Sequence, residues 1–224
     1  MDDEARLTRQ QISDATGPLG WRLVLGAIYT EVLAASIEEA MEAASTAVSA
    51  VGGQGRLTVD IRADRAVLRL QSADVGAVTG RDLRLAGEVS RALAEREFST
   101  APGAVAVQSL EIAIDALDIS AVRPFWKAIT EYIDEPGPSD LSGGLIDPIG
   151  RGPAIWFQQM DAPRPQRNRI HLDIDVPHDA AAVRIDAALA AGGTLQSDKA
   201  APAFWVLADP EGNEACICTW QGRD

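Results

Sequence analysis

The sequence predicts an α+β fold in two parts, an αββαββα unit followed by a paired βαβββ unit. The strongest observation is a pattern written twice in the second half. Leu110-Glu111-Ile112-Ala113-Ile114-Asp115 returns as Ile170-His171-Leu172-Asp173-Ile174-Asp175, and Leu145-Ile146-Asp147-Pro148-Ile149-Gly150 returns as Leu207-Ala208-Asp209-Pro210-Glu211-Gly212. Both echoes have an offset of about sixty residues, which suits two halves of one domain. The second observation is an alternation of capped helical patterns with short strand pairs over residues 1–98. The third is Ser99-Thr100-Ala101-Pro102-Gly103, a run of small residues, Pro and Gly that reads as a boundary. The expected organisation is therefore a first domain at 1–98, a linker at 99–105 and a second domain at 106–224.

In the first domain, Thr8 with Gln11 forms a capping box, Ile12 and Ala15 share a face, and Gly17-Pro18 stops the helix. Gly20-Trp21 leads into a strand region, Arg22 to Ala34, that turns near Gly26. Ser36 with Glu39 starts a second helix whose apolar stripe is Ile37, Met41, Ala44, Val48 and Val51, and Gly52-Gly53 closes it. Leu57 to Ile61 and Ala66 to Leu70 read as a strand pair around Ala63-Asp64. Thr79 with Asp82 caps a third helix carrying Leu83, Ala86, Val89 and Leu93.

In the second domain, each repeat strand is followed by a helix. The first has Val122, Phe125, Trp126 and Ile129 on one face, and the second has Ala182, Ile185 and Leu189 inward with Gly192-Gly193 at its end. Pro136-Gly137-Pro138 and the stretch from Ala162 to Asn168 read as loops.

Composition narrows the classes of function. A hydrophobic share of 46% indicates a globular chain. A formal charge of −13 opposes nucleic acid and anionic lipid, both polyanions. The Arg cluster Arg164 to Arg169 is short, interrupted by Pro165, and reads as a loop. The chain opens Met1-Asp2-Asp3-Glu4, unlike a basic leader, and no apolar run has membrane-spanning length. Cys216 and Cys218, two apart on one strand face, are poorly placed to bridge each other. Free thiols fit a reducing cytoplasm, so the expected setting is cytoplasmic with no membrane or nucleic-acid partner.

Gly20-Trp21, the order of elements and Thr79-Gly80-Arg81-Asp82 give residues 7–95 a pattern that resembles the pterin-4a-carbinolamine dehydratases. That family carries His-His-Pro after the central helix and another His after the second hairpin. Here the first falls on Gly53-Gln54-Gly55 and the second on Ser72-Ala73-Asp74. Carbinolamine dehydration needs a group that both gives and takes a proton near neutrality, and His is the usual choice. Both histidines of the chain, His171 and His178, lie in the second domain. Asp74 and Glu31 are the replacement candidates, and either would need burial to raise its pKa into range. Without that chemistry the resemblance implies assembly, with a homodimer expected, or pterin binding without turnover.

The duplicated frame with Phe125-Trp126, His171-Leu172-Asp173 and Asp209-Pro210-Glu211-Gly212-Asn213-Glu214 resembles the glyoxalase-like branch of the vicinal oxygen chelate superfamily. The resemblance implies a cleft between the repeats. In metal-dependent members the first and last strand of each repeat supply one ligand each to a divalent metal, which stabilises an enolate-like intermediate in lyase or isomerase chemistry. Carried over, Glu111 and His171 occupy the first-strand positions. Cys216 falls where the last-strand carboxylate usually stands, with Glu214 two residues earlier on the same face. In the first repeat Gln158, Trp156 or Phe157 holds the corresponding place. The candidate metal ligands and catalytic groups are Glu111, His171 and Glu214. Cys216 also reads as a small buried hydrophobe, and His178, beside Pro177, as a surface residue. Trp156 and Trp205, on strands of opposite halves, are expected to face each other across the cleft. Trp126, Arg123, Gln158 and Cys216 complete the substrate-binding expectation. Three functions follow: a small-molecule enzyme of lyase or isomerase type, a ligand-sequestering protein without turnover, and a pterin dehydratase using non-histidine groups.

Overall fold

The structure is a computed structural model that describes residues 7–53, 56–102, 109–136, 143–163 and 170–222. It divides into two compact units, Met1–Ser109 and Leu110–Asp224. Gln54-Gly55, the Arg164 to Arg169 cluster and parts of the loops after Pro136 and Ala162 lie outside the described residues, as do 103–105 of the expected linker.

The first unit runs α1 (Arg9–Thr16), a 3-10 turn (Gly17–Leu19), β1 (Arg22–Val24), β2 (Ala27–Leu33), α2 (Ile37–Ala50), β3 (Leu57–Arg62), β4 (Arg65–Leu70), α3 (Gly80–Ala94) and β5 (Thr100–Ala101). The expected capping box forms at Thr8: its backbone N–H donates to Gln11 Oε1 at 2.9 Å, and its hydroxyl accepts from Gln11 N at 3.2 Å. The β1–β2 connection is a two-residue turn with positive φ at both Leu25 and Gly26, the geometry that matches strand twist. The sheet is ordered β1-β2-β4-β3, with β5 also pairing with β2. Its helix side is Ile28, Val32, Ala66, Leu68 and Leu70, packed with Trp21, Leu85, Val89 and Leu93. Trp21 is fully buried and donates its indole N–H to Ser90 Oγ at 2.9 Å.

Three expectations change here. On α2 the buried face is Ala40, Ala43, Ala44 and Ala47, while Ile37, Met41 and Val48 point outward. Alanines let α2 approach α3 and the sheet closely, and the bulkier stripe is left on the opposite side. On α1 the residue that shares the inward face with Ile12 is Thr16, and Ala15 is exposed. Thr100–Ala101, read as linker, is the strand β5 and pairs with β2: Thr100 donates its hydroxyl to Leu19 O at 2.8 Å, and Thr30 donates to Ala101 O at 3.0 Å.

The second unit realises the duplication element by element. β6 (Glu111–Ala116), α4 (Ile119–Thr130), β7 (Ile133–Asp134), β8 (Leu145–Ile146) and β9 (Ala154–Gln159) form the first module. β10 (Leu172–Asp175), α5 (Ala181–Ala190), β11 (Thr194–Ser197), β12 (Phe204–Ala208) and β13 (Glu214–Cys218) form the second. The sheets have the same order, β6-β9-β8-β7 and β10-β13-β12-β11, with first and last strands parallel in both. A single apolar core joins the modules, drawing Ile114, Phe125, Ile129, Ile155 and Phe157 from one and Ala188, Leu207, Ala215 and Ile217 from the other.

α4 buries Val122, Phe125, Trp126 and Ile129 as the periodicity predicts. On α5, Ile185 and Leu189 pack against the core as expected, but Ala182 is exposed and the buried positions are Ala181, Arg184 and Ala188. Arg184 is drawn inward because it donates to Ile129 O at 3.0 Å and pairs with Glu131, satisfying the carbonyl end of α4. Gly193 is required by packing, since a Cβ there would lie 2.4 Å from the Phe125 ring.

The repeated Asp-Pro turns have the same structural role. Asp147 accepts backbone N–H bonds from Ile149, Arg151 and Gly152 at 2.9, 2.9 and 2.7 Å. Burial alone would raise its pKa, but these three donors outweigh it and hold the carboxyl below the usual range. Asp209 accepts from Glu211 N and Asn213 N, both at 2.9 Å. Each turn delivers the chain into the last strand of its module, which positions the site.

Candidate functional site

Strand register fixes which residues of the two modules are equivalent. Ile112 pairs with Ile155 on β6/β9, and Leu172 pairs with Ala215 on β10/β13. Ala113 opposite Trp156 therefore corresponds to Asp173 opposite Cys216, and Gln158 corresponds to Cys218. The residues between them, Ile114, Ile155, Phe157, Ala215 and Ile217, turn into the helix-side core. Alternation leaves Glu111, Ala113, Asp115, Trp156 and Gln158 on the open face of one sheet. Asp173, Asp175, Glu214, Cys216 and Cys218 take the open face of the other.

A cavity of about 690 Å³ lies between the modules. Its polar lining includes Glu111, Asp115, His171, Glu211, Asn213 and Glu214, and its apolar lining includes Ile112, Leu117, Trp126, Met160, Ile170 and Leu172. Glu111, His171 and Glu214, the three predicted ligands, thus share one cavity. Trp126 joins them, its ring buried and its indole N–H donating to Asp209 Oδ2 at 2.9 Å.

The other binding expectations are placed elsewhere. Arg123 is held by Asp134 Oδ1 at 2.7 Å and Gly143 O at 3.0 Å, so it fixes the β7–β8 region and does not line the cavity. With Lys127 it also holds the Asp134 carboxyl below its ordinary range. Trp205 packs against the shared core beside Ile217, and Trp156 is partly exposed on the other sheet, so the two indoles do not face each other. Gln158 lies on the open face with Trp156, outside the cavity lining. The aromatic on the open face of the second sheet is Phe204, one residue from Trp205. Trp220 is exposed and its indole N–H donates to His178 Nδ1 at 3.3 Å, a surface pairing.

A smaller pocket of about 420 Å³ opens on the second sheet and is lined by His171, Asp173, Ala203, Phe204, Cys216 and Cys218. Ligand-capable atoms of His171, Asp173 and Cys216 lie within 4.8 Å of one another. His171 Nε2 is 3.3 Å from Asp173 Oδ1. Burial pushes the Cys216 thiol up to about 12, with the adjacent Asp173 carboxylate adding to the shift. A thiol in that state is no nucleophile near neutrality, and neither cysteine is in a disulfide.

The divalent metal implied by the family does not fit the four-strand position. Register puts the indole of Trp156 on β9 where Cys216 stands on β13, and an indole offers no lone pair to a cation. Among the described residues, Glu111 and Glu214 do not belong to the close-set group of potential ligands.

In the first unit, Asp74 is exposed in a turn, without the burial that dehydratase chemistry would require. Glu31 is buried, with its Oε2 accepting from Arg65 at 2.9 Å. Asp82, the helix cap, is fully buried and accepts from Ser72 Oγ at 2.6 Å and Thr79 N at 2.7 Å.

The sequence pattern could have revealed Asp115 and Asp173, which alternate with Glu111 and His171 at strand period two. Glu211 and Met160 had no such signal, because turns and strand ends place them.

Residues 111–218 match the family described as a glyoxalase-like domain, and the second unit carries that domain. Among solved structures, the chain is similar to a glyoxalase/bleomycin resistance protein/dioxygenase family enzyme from Burkholderia phytofirmans PsJN, at 22% identity over 49% of this chain and 95% of that one, TM-score 0.41. It is also similar to a glyoxalase-related enzyme from Fulvimarina pelagi, at 17% identity over 50% and 88%, TM-score 0.41. A third is the fosfomycin resistance protein FosX from Listeria monocytogenes, at 12% identity over 50% and 91%, TM-score 0.40. No curated protein matches the chain. Among the described residues no helix is long and apolar enough to cross a membrane.

Proposed function

We propose that the glyoxalase-like unit binds a small molecule in the cavity between its modules and holds it without a four-strand metal chelate. The observation that carries this reading is the cavity itself, of ligand size and lined by both modules. Glu111, Asp115, Glu211 and Glu214 set its polar character, and no Lys or Arg joins the lining among the described residues. The ligand that suits it has an apolar body and a positively charged or hydrogen-bond-donating group. A thermal-shift screen of the full chain against apolar amines tests this. A ligand at a hundred times its Kd stabilises by about 2.7 kcal/mol, a shift of several degrees. Glu111→Gln is expected to weaken such a ligand about tenfold, the loss of one charge-assisted hydrogen bond. Hits whose affinity ignores both Glu111→Gln and Asp115→Asn would move the site elsewhere.

A second reading, lyase or isomerase turnover of the same ligand, is favoured by the His171–Asp173 pair at the cavity edge, an imidazole held by a carboxylate as proton-transfer sites require. The reduced cysteines support a cytoplasmic setting.

For the first unit we propose assembly into a homodimer. Support comes from the outward Ile37, Met41 and Val48 of α2, an apolar stripe that solvent leaves uncovered. Met41→Glu is then expected to convert the dimer to monomer in sedimentation, and an unchanged mass would end this reading.

A further inference from the structure

We propose that the second repeat by itself holds a thiophilic divalent cation of the zinc class, through His171 Nε2 or Nδ1, an Asp173 carboxylate oxygen and Cys216 Sγ. This goes beyond small-molecule binding in the larger cavity and does not depend on it. The donor set sits on two neighbouring strands, with Asp173 directly opposite Cys216 in the β10/β13 ladder and His171 immediately before β10.

The three ligand atoms already lie within 4.8 Å of one another. Ions of this class hold S, N and O ligands at about 2.0–2.3 Å, which places tetrahedral ligand atoms roughly 3.3–3.8 Å apart. Closing that difference takes shifts on the order of 1 Å. His171 and Asp173 are free to make them, with side chains 52% and 58% exposed. Cys216 stays anchored in the sheet and provides the fixed point.

The chemistry of the set selects the ion. One thiolate, one imidazole and one carboxylate suit a borderline-soft cation, whereas magnesium or calcium requires oxygen ligands. Three protein ligands also leave a fourth position for water or a bound molecule, the pattern of an open zinc site. As the S–metal bond forms, the Cys216 proton leaves to solvent. Cys218, on the same strand face and lining the same pocket, adds a second sulfur beside the site.

Comparison of the modules gives an independent argument. At the positions equivalent to His171, Asp173 and Cys216, the first repeat has Glu111, Ala113 and Trp156. Both the second carboxylate and the thiol are missing there. His171 and Cys216 stand at the first-strand and last-strand positions of the second repeat, and Asp173 completes the set within that half of the frame.

The test uses the full chain, stripped with a chelator and titrated with Co²⁺ alone. The expected result is one ion per chain with a thiolate-to-cobalt charge-transfer band in the near ultraviolet. Cys216→Ser is expected to remove the band, and Asp173→Asn to weaken binding by more than the ~10–100-fold that loss of an outer-shell partner costs. Circular dichroism of each metal-free variant reports folding. If Cys216→Ser fails to fold, the exposed Asp173→Asn and His171→Gln carry the decision. Absence of the band, its survival in folded Cys216→Ser, or affinity unchanged in both Asp173→Asn and His171→Gln overturns the proposal. So does loss of cobalt binding in Glu111→Gln, which would assign the ion to the four-strand position.

Discussion

Replacing Asp209 with alanine is expected to destabilise the second unit by about 3–5 kcal/mol, the range for breaking a buried charged network. Asp209 is 2% exposed, and both of its oxygens are engaged. Oδ1 accepts from Glu211 N and Asn213 N, both at 2.9 Å, and Oδ2 accepts from Asn213 Nδ2 at 2.8 Å and Trp126 Nε1 at 2.9 Å. Removal strands the buried indole N–H of Trp126 and two backbone donors of the turn. Each costs about 1–3 kcal/mol when left unmade, and the sum falls short of additive because they share one acceptor group. Asp147 is the internal control. It holds the equivalent turn but is only half-buried and touches no indole, so Asp147→Ala is expected to cost about 1 kcal/mol. Urea unfolding of the full chain checks both. A loss below 1 kcal/mol in Asp209→Ala, or equal losses in the two variants, would contradict the argument. The cavity should fail with the turn, because Trp126, Glu211, Gly212 and Asn213 all line it.

The same pair of turns shows why so much of the second unit was legible. Asp-Pro-x-Gly, strand alternation and helix caps are local signals, and each repeat confirms the reading of the other. The errors arose where a local signal is degenerate. In β12, Phe204, Trp205, Val206 and Leu207 are apolar on both faces, so period two cannot tell cleft from core, and a one-residue slip exchanges Phe204 with Trp205. On α2, apolar residues occupy two faces, and the bulky one looked like the core side until packing chose the alanines. Arg184 and Arg123 are charges whose destinations are carbonyls and carboxylates distant in sequence. Glu111, His171 and Glu214 line one cavity because strand period two puts them on the facing sides of their modules. Period two puts Asp173 on the face of His171, but its place directly opposite Cys216 follows from cross-strand register, which one sequence does not display.

The first unit has its own buried charge, and Asp82→Ala is expected to cost about 3–5 kcal/mol there. Asp82 is fully buried at the start of α3. Its Oδ2 accepts from Ser72 Oγ at 2.6 Å, Thr79 N at 2.7 Å and Thr79 Oγ1 at 3.0 Å, which ties the loop after β4 to the helix. Arg56 Nη1 lies 3.7 Å from Oδ1 and also donates to Ser72 Oγ, with a side chain only 11% exposed. Alanine would therefore remove a helix cap together with the carboxylate that faces a nearly buried guanidinium. The two parts separate in a double-mutant cycle. Arg56→Met in the Asp82→Ala background should recover the electrostatic share, roughly half of the loss, because the remaining cap is worth about 1–2 kcal/mol. Asp82→Asn keeps one acceptor for Thr79 N but places an amide among donors, so its cost should fall between those of alanine and the wild type. Additive effects of Asp82→Ala and Arg56→Met in urea unfolding would show that the guanidinium is no part of the network, and that the cap alone holds the loop.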